Sequence, residues 1–370
     1  MVPEMDVSDS VKLRVLVVDD SILYRKMIQD VLEELPGVEV VGTAQDGHIA
    51  LVKARSLKPD VITLDIEMPE MDGLEVLEHL MVEQPETASV VCSIFTTEGA
   101  RITLKALELG AFDFIPKPST GTLEENRTLF KSAITPMIDA LTHLKSQRSM
   151  VIASTSQISR AKKPLPELLR FSGGIREKSR AVTIGISTGG PVALAKVMPD
   201  IPADIGVPLF IVQHMPPMFT EALAVKLNAV SRIWVKEAAD GEIVCPNTAY
   251  IAPGGKQMKV ALSSGGNRSV VIRITDDAAE NNCKPSADYL FRSVADCYGR
   301  HATGVIMTGM GYDGSEGLKL MKERGAFIIA QDESTSLIYG MPRKPVEMGI
   351  VDVIAPLETI AGEISRTVSG

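Results

Sequence analysis

A chain of 370 residues is longer than one hydrophobic core ordinarily supports, so two domains of usual size are expected. Hydrophobic residues make up 45% and charged residues 23%, which excludes disordered and fibrous classes, and no apolar run approaches the roughly 18 residues of a membrane helix. The net charge of −9 argues against a nucleic-acid surface, and the acidic, polar start MVPEMDVSDS is unlike a signal peptide, so a cytoplasmic protein without membrane insertion is expected.

Over about the first 120 residues, short β-branched runs alternate with helical patterns, the signature of βα units in a parallel sheet. Strands are predicted at Val15–Val18, Val38–Val41, Val61–Leu64, Val90–Ser93 and Phe112–Ile115, with Ile28, Val31, Leu32 and Leu35 at helical spacing after the first. Such units form a small doubly wound domain whose site lies at the carboxyl ends of the strands. Asp19 and Asp20 end the first strand and Asp65 the third, so three carboxylates meet on one edge and need a cation to join them. Mg²⁺ suits these oxygen ligands. Lys117, in Ile115-Pro116-Lys117-Pro118, adds a positive charge there, and Ser93 a hydroxyl, with Thr96 three residues on. A carboxylate held by Mg²⁺ and lysine can attack a phosphoryl donor and become an acyl phosphate. A single aspartate at a strand end can equally cap the next helix, as Asp20 or Ser21 could here; three acids with one lysine weigh against that reading.

VLVVDDS, TLDIEMPEMDG, VVCS and FIPKP resemble the receiver domain of two-component response regulators, over residues 12–120. The resemblance implies a flavodoxin-like fold and Asp65 as phosphoacceptor. It further implies Asp20, Asp65 and the Glu67 carbonyl as Mg²⁺ ligands with Asp19 in support, Ser93 as switch hydroxyl and Lys117 as phosphate contact.

From Arg127 to Arg180 the chain carries 11 Lys and Arg against 3 Asp and Glu. A helix is predicted to about Lys145, then a Ser-rich basic stretch with Pro164, Pro166 and paired glycines that reads as a linker. The expected organisation is a first domain at residues 1–125, a helix end and basic linker at 126–178, and a second α/β domain at 179–370.

In that second domain strands are predicted at Ala181–Ile186, Val207–Val212, Thr303–Met307 and Phe327–Ala330. The first runs into Ser187-Thr188-Gly189-Gly190-Pro191 and a helix, where free N–H groups can stabilise an oxyanion; Gly185 to Gly189 also fits GxSxG. Serine in such a turn is more often a cap or phosphate contact. His214 follows the next strand and is stiffened by Pro216 and Pro217, and Asp313 follows a third, giving a nucleophile, base and orienting acid on one edge. The segment Met215 to Met218 beside His214 offers apolar surface to a partner helix, or simply core packing. Gly309 to Gly314 matches GxGxxG between strand and helix, with Asp332 at the next strand end, so an NAD-binding oxidoreductase is a rival. That rival leaves Ser187 and His214 unexplained and puts the Asp313 charge against a pyrophosphate. A receiver-controlled binding module is the second rival; it would make the three-residue convergence a coincidence. Cys92, Cys245, Cys283 and Cys297 lie far apart without a CxxC pair, so neither a zinc site nor a redox motif is expected.

GISTGGP, VQHMPPMFT, PGG, KPSAD and MTGMGYDGSEGL resemble the catalytic domain of the CheB family of chemotaxis methylesterases, and the receiver, linker and esterase order matches that family along nearly the whole chain. The resemblance implies a Rossmann-like second domain and hydrolysis of glutamyl methyl esters on chemoreceptors, with deamidation of receptor glutamines. Ser187, His214 and Asp313 carry over as nucleophile, base and orienting acid, and Thr188 and the Met310 backbone as transition-state contacts. Implied partners are methyl-accepting chemoreceptors and a chemotaxis histidine kinase, with Mg²⁺ for the receiver and no cofactor for the esterase.

Overall fold

In the computed structural model of the protein, residues 12–94, 96–117, 121–155, 169–170, 177–263 and 269–369 are described. The chain divides into two units, Met1–Ala161 and Lys162–Gly370.

The first unit is a five-stranded parallel sheet: β1 (Leu13–Val18), β2 (Val38–Ala44), β3 (Val61–Asp65), β4 (Ala88–Ile94) and β5 (Asp113–Lys117), in the order β2-β1-β3-β4-β5. The helices between them are α1 (Ile22–Glu33), α2 (Gly47–Leu57), α3 (Gly73–Glu83), α4 (Thr97–Glu108) and α5 (Leu123–Thr155). Side-chain caps start all five: Ser21, Asp46, Asp72, Thr96 and Thr122 each accept a hydrogen bond from a backbone N–H of the first turn, satisfying donors that the helix cannot. The sequence puts Pro116 and Lys117 beyond the fifth strand, whereas both belong to it. Pro116 is tolerated because β5 is an edge strand whose outward N–H needs no partner. α5 continues past Lys145 to Thr155 and buries Phe130, Ile134, Ile138 and Leu141.

The second unit holds an eight-stranded sheet, made of β6 (Leu169–Arg170), β7 (Ala181–Ile186), β8 (Leu209–Gln213), β9 (Trp234–Glu237), β10 (Thr248–Ile251), β13 (Ala302–Ile306), β14 (Phe327–Gln331) and β15 (Val353–Ala355). A separate antiparallel hairpin consists of β11 (Gln257–Leu262) and β12 (Val270–Thr275). The main order is β6-β15-β14-β13-β7-β8-β10-β9, parallel except for β6. The helices are α6 (Gly190–Val197), α7 (Phe219–Val230), α8 (Ala287–Tyr298), α9 (Ser315–Glu323), α10 (Arg343–Glu347) and α11 (Ile360–Ser369). From β7 the chain winds outward through β8 in one direction and β13 in the other. The edge above these three strands is thus the topological switch point, where open α/β sheets place their sites.

Phe291 of α8 is fully buried among Leu290, Val294, Ile306 and Leu318. Its side chain comes so close to Gly185, Gly314 and Gly317 that a Cβ at those positions would lie within 3.2 Å of it, so it fixes the start of α8 against the ends of β7 and β13. Phe291→Ala is expected to lower unfolding stability by about 3–5 kcal/mol through loss of transfer energy and the remaining cavity, measurable by urea unfolding followed by circular dichroism.

Candidate active site

At the carboxyl edge of the first sheet, Lys117 Nζ lies 2.7 Å from Asp19 Oδ2 and 2.6 Å from Asp65 Oδ2. Asp19 Oδ1 accepts from the Ser21 N–H at 2.9 Å, and Asp65 Oδ1 from the Glu67 N–H at 3.3 Å. Asp19 and Asp65 are buried and Asp20 exposed, with carboxylate oxygens of all three within 4.8 Å of one another. This hard-oxygen set with one ligand facing solvent fits Mg²⁺. Burial pushes the Asp65 carboxyl up to about 6 against the pull of Lys117, while burial of Lys117 is outweighed by its two carboxylates. Ser93 and Thr96 are distinct in role. Thr96 Oγ1 caps α4, accepting from the Gly99 N–H at 2.9 Å, while the buried Ser93 hydroxyl donates to the Gly99 carbonyl at 3.2 Å.

At the edge of the second sheet, Ser187 follows β7, His214 follows β8 and Asp313 follows β13, so three neighbouring strands present them. Ser187 is half-buried, its N–H held by the Thr308 carbonyl at 3.0 Å and its own carbonyl receiving the Gly190 N–H at 2.7 Å. The turn needs Gly189, at φ +79°, and Gly190, where a Cβ would lie 1.9 Å from Gln213 Oε1. Gln213 was not singled out from sequence. Its Nε2 donates to the carbonyls of Ser187 at 3.0 Å and His214 at 3.3 Å, tying the two loops through their backbones. The Met310 N–H and the Gly189 N–H donate to no partner among the described residues. Thr188 is buried and its carbonyl accepts from Thr308 Oγ1 at 3.0 Å. The prolines after His214 are pinned from below: a Cβ on Gly254 would lie 2.2 Å from the Pro216 carbonyl carbon, so only glycine lets the two backbones meet.

His214 Nε2 and Asp313 Oδ2 are 2.8 Å apart. Asp313 sits at the first turn of α8, where it accepts from the N–H groups of Ala287 (2.6 Å) and Asp288 (3.3 Å), the Ser286 hydroxyl (2.8 Å) and Asn281 Nδ2 (3.0 Å). The helix start supplies both donors and a positive dipole end. Burial would raise the Asp313 carboxyl, but His214 and these donors hold it down at about 2. Burial likewise disfavours the His214 imidazolium, yet Asp313 and the Cys283 sulfur hold it well above the ordinary 6.5. The other ring nitrogen, Nδ1, lies 3.7 Å from Cys283 Sγ, and no hydrogen bond joins His214 to the Ser187 hydroxyl among the described residues. Asn281, at φ +52°, bridges Asp313 to the buried Asp288, whose carboxylate takes the Gly317 N–H at 2.6 Å. The KPSAD segment is thereby accounted for: it caps α8 and cradles Asp313.

The GxGxxG string is not a dinucleotide fingerprint. Asp313 within it is committed to His214 and α8, and a Cβ on Gly309 would lie 2.7 Å from Ser187 Cβ, so that glycine serves loop packing. Asp332 is committed to its own turn, accepting from Ser334 Oγ (2.6 Å) and the Thr335 N–H (3.1 Å).

The ion pair has a defined pH window. The Asp313 share of stability is complete above its ordinary 3.8 and lost as pH falls through about 2. The His214 share is complete below 6.5 and lost as pH rises through its raised value. Imidazole NMR signals of His214 are therefore expected to titrate above 6.5, and Asp313→Asn to move that midpoint down; an unmoved midpoint would refute the pairing.

Residues 182–364 match the family model for the CheB methylesterase, and residues 15–126 that for the response regulator receiver domain. A protein-glutamate methylesterase/protein-glutamine glutaminase of Desulfotalea psychrophila is 49% identical over 96% of this chain and 98% of its own length. One of Archaeoglobus fulgidus is 44% identical over 96% and 97%. The crystal structure of the Thermotoga maritima CheB methylesterase catalytic domain covers 52% of this chain and 100% of that one, at 36% identity and a TM-score of 0.50. With nearly full-length relatives at this identity and a receiver followed by the esterase fold, the chain belongs to the CheB methylesterase family.

Proposed function

We propose that this protein is a phosphorylation-activated protein-glutamate methylesterase that hydrolyses glutamyl methyl esters on methyl-accepting chemoreceptors in the cytoplasm and deamidates receptor glutamines. Its receiver spans residues 1–125 and its esterase 179–370. The stretch between, 126–178, holds most of α5 and supplies β6. The observation that carries the reading is His214 oriented by a helix-bound Asp313 beside Ser187, on three adjacent strands.

In the neutral form of His214, with Nε2–H donating to Asp313, the lone pair lies on Nδ1, and that nitrogen takes the Ser187 proton. Ser187 Oγ forms a bond to the ester carbonyl carbon, and the oxyanion is met by N–H groups including that of Met310, with Thr188 as a further contact. The C–O bond to methoxide breaks as His214 returns the proton, releasing methanol. Water, deprotonated by the same nitrogen, then frees glutamate. With glutamine, ammonia leaves in place of methanol. Exposed Tyr312 and Leu337 border Asp313 and Gly189 and give an apolar rim to a receptor helix.

In the receiver, Asp65 accepts the phosphoryl group from a chemotaxis histidine kinase. Asp20, Asp65 and the Glu67 carbonyl, with Asp19 in support, would hold Mg²⁺, which would supply charge neutralisation at the phosphoryl oxygens. Lys117 and Ser93 meet the new phosphoryl oxygens, replacing the contacts of Lys117 with Asp65 and of Ser93 with Gly99.

Ser187→Ala is expected to lower methanol release from methylated receptor by roughly four to six powers of ten while leaving acetyl phosphate labelling of the protein intact; near wild-type release would refute the nucleophile. Acetyl phosphate with Mg²⁺ is expected to raise wild-type activity about 5- to 150-fold, the range of ordinary site couplings. Asp65→Asn removes this response, and a variant that still responds would refute control through Asp65.

A further inference from the structure

Cys283 has no part in the reaction just described, yet its sulfur faces the one ring nitrogen of His214 that Asp313 leaves bare. The two residues are separated by 69 positions and arrive from different loops, so no sequence motif announces the pair. A tetrahedral zinc-class ion, with metal–sulfur and metal–nitrogen bonds of about 2.3 and 2.0 Å, holds its sulfur and nitrogen ligands about 3.5 Å apart. The observed separation of Cys283 Sγ and His214 Nδ1 is 3.7 Å.

The surroundings support the same geometry. Histidine ligands usually donate their second N–H to a carboxylate, which fixes the tautomer and aims the lone pair at the metal. Asp313 does this to Nε2 at 2.8 Å. Asp313 itself, although near enough to count as a third ligand, has both oxygens engaged by Ser286, Ala287, Asn281 and His214. The Asn281 carbonyl, 3.4 Å from Sγ, and water are better placed to complete the shell. Lys284, the adjacent cation, is turned away onto the Asp276 carbonyl at 3.0 Å, so it does not compete for the sulfur. Cys283 is only partly buried, which leaves an entry path.

We propose that Cys283 Sγ and His214 Nδ1 form a binding site for a thiophilic divalent cation of the zinc class, and that its occupation switches the esterase off. On binding, the Cys283 thiol and the His214 imidazolium each lose a proton to solvent, a metal–sulfur and a metal–nitrogen bond form, and the Nδ1 lone pair is consumed. Binding does not depend on the reaction; the inhibition rests on His214 being the base.

The test uses the full-length protein in Mg²⁺ buffer, with Co²⁺ as spectroscopic probe and Zn²⁺ as inhibitor. One equivalent of Co²⁺ is expected to give thiolate charge-transfer absorption and tetrahedral ligand-field bands. Both are retained in Cys245→Ala and lost in Cys283→Ala, Cys283→Ser and His214→Ala, with circular dichroism confirming that the variants fold. Zn²⁺ is expected to lower methanol release more than about tenfold in wild type, reversibly with a chelator, and the ratio of rates without and with Zn²⁺ to fall to near one in Cys283→Ala. Absence of the bands, or their survival in folded Cys283 variants, overturns the site. Bands that appear while Zn²⁺ leaves methanol release unchanged overturn the switch. A protein that releases no methanol under any condition refutes the esterase reading, and the absorption bands still decide whether the site exists.

Discussion

A carboxylate sunk into a protein interior costs several kcal/mol unless donors replace its water. The second unit is organised around meeting that demand for Asp313, which is almost fully buried and accepts from two backbone N–H groups, a hydroxyl, an amide and an imidazole. The first turn of α8 must therefore lie over the end of β13. Phe291 secures this by packing into the core below, and Asp288 ties the same turn to α9 through the Gly317 N–H. His214 then has one orientation open to it, set by where Asp313 is held.

The two edges of this molecule treat buried acids in opposite ways. Asp65 has a single lysine and one long backbone contact, too little to offset burial, so its proton is held more tightly than usual. Asp313 has five partners and is held ionised. Donor supply, more than depth, separates the two. It fits the former for change of charge state and the latter for permanence.

Most of what lies along the strand edges was legible in the sequence. Asp19, Asp65, Lys117, Ser187 and His214 each stand where an apolar run ends, and Asp313 in the loop that follows another; a parallel sheet brings such ends together whatever the helices between do. The supporting residues were not legible. Gln213 is the last residue of an apolar strand, and Asn281 is one polar residue in a loop, so nothing in spacing distinguishes either; their roles come from neighbours distant in sequence. The β11–β12 hairpin alternates as a strand pair should, but its polar face interrupts the αβ rhythm and hides it. The rival GxGxxG reading failed because glycine at Gly309 answers to crowding by Ser187, a demand that yields the same letters as phosphate binding.

Gly254 carries no reactive group and faces no substrate, yet the backbone of Pro216 and Pro217 lies where its side chain would be. The His214 loop rests on it as on a footing. Ranked by distance from the chemistry, position 254 would look expendable; ranked by the free volume available to it, it is closed to the other nineteen amino acids. The exposed rim at Tyr312 and Leu337 can change one residue at a time, but any exchange at position 254 has to re-lay the His214 loop in the same step.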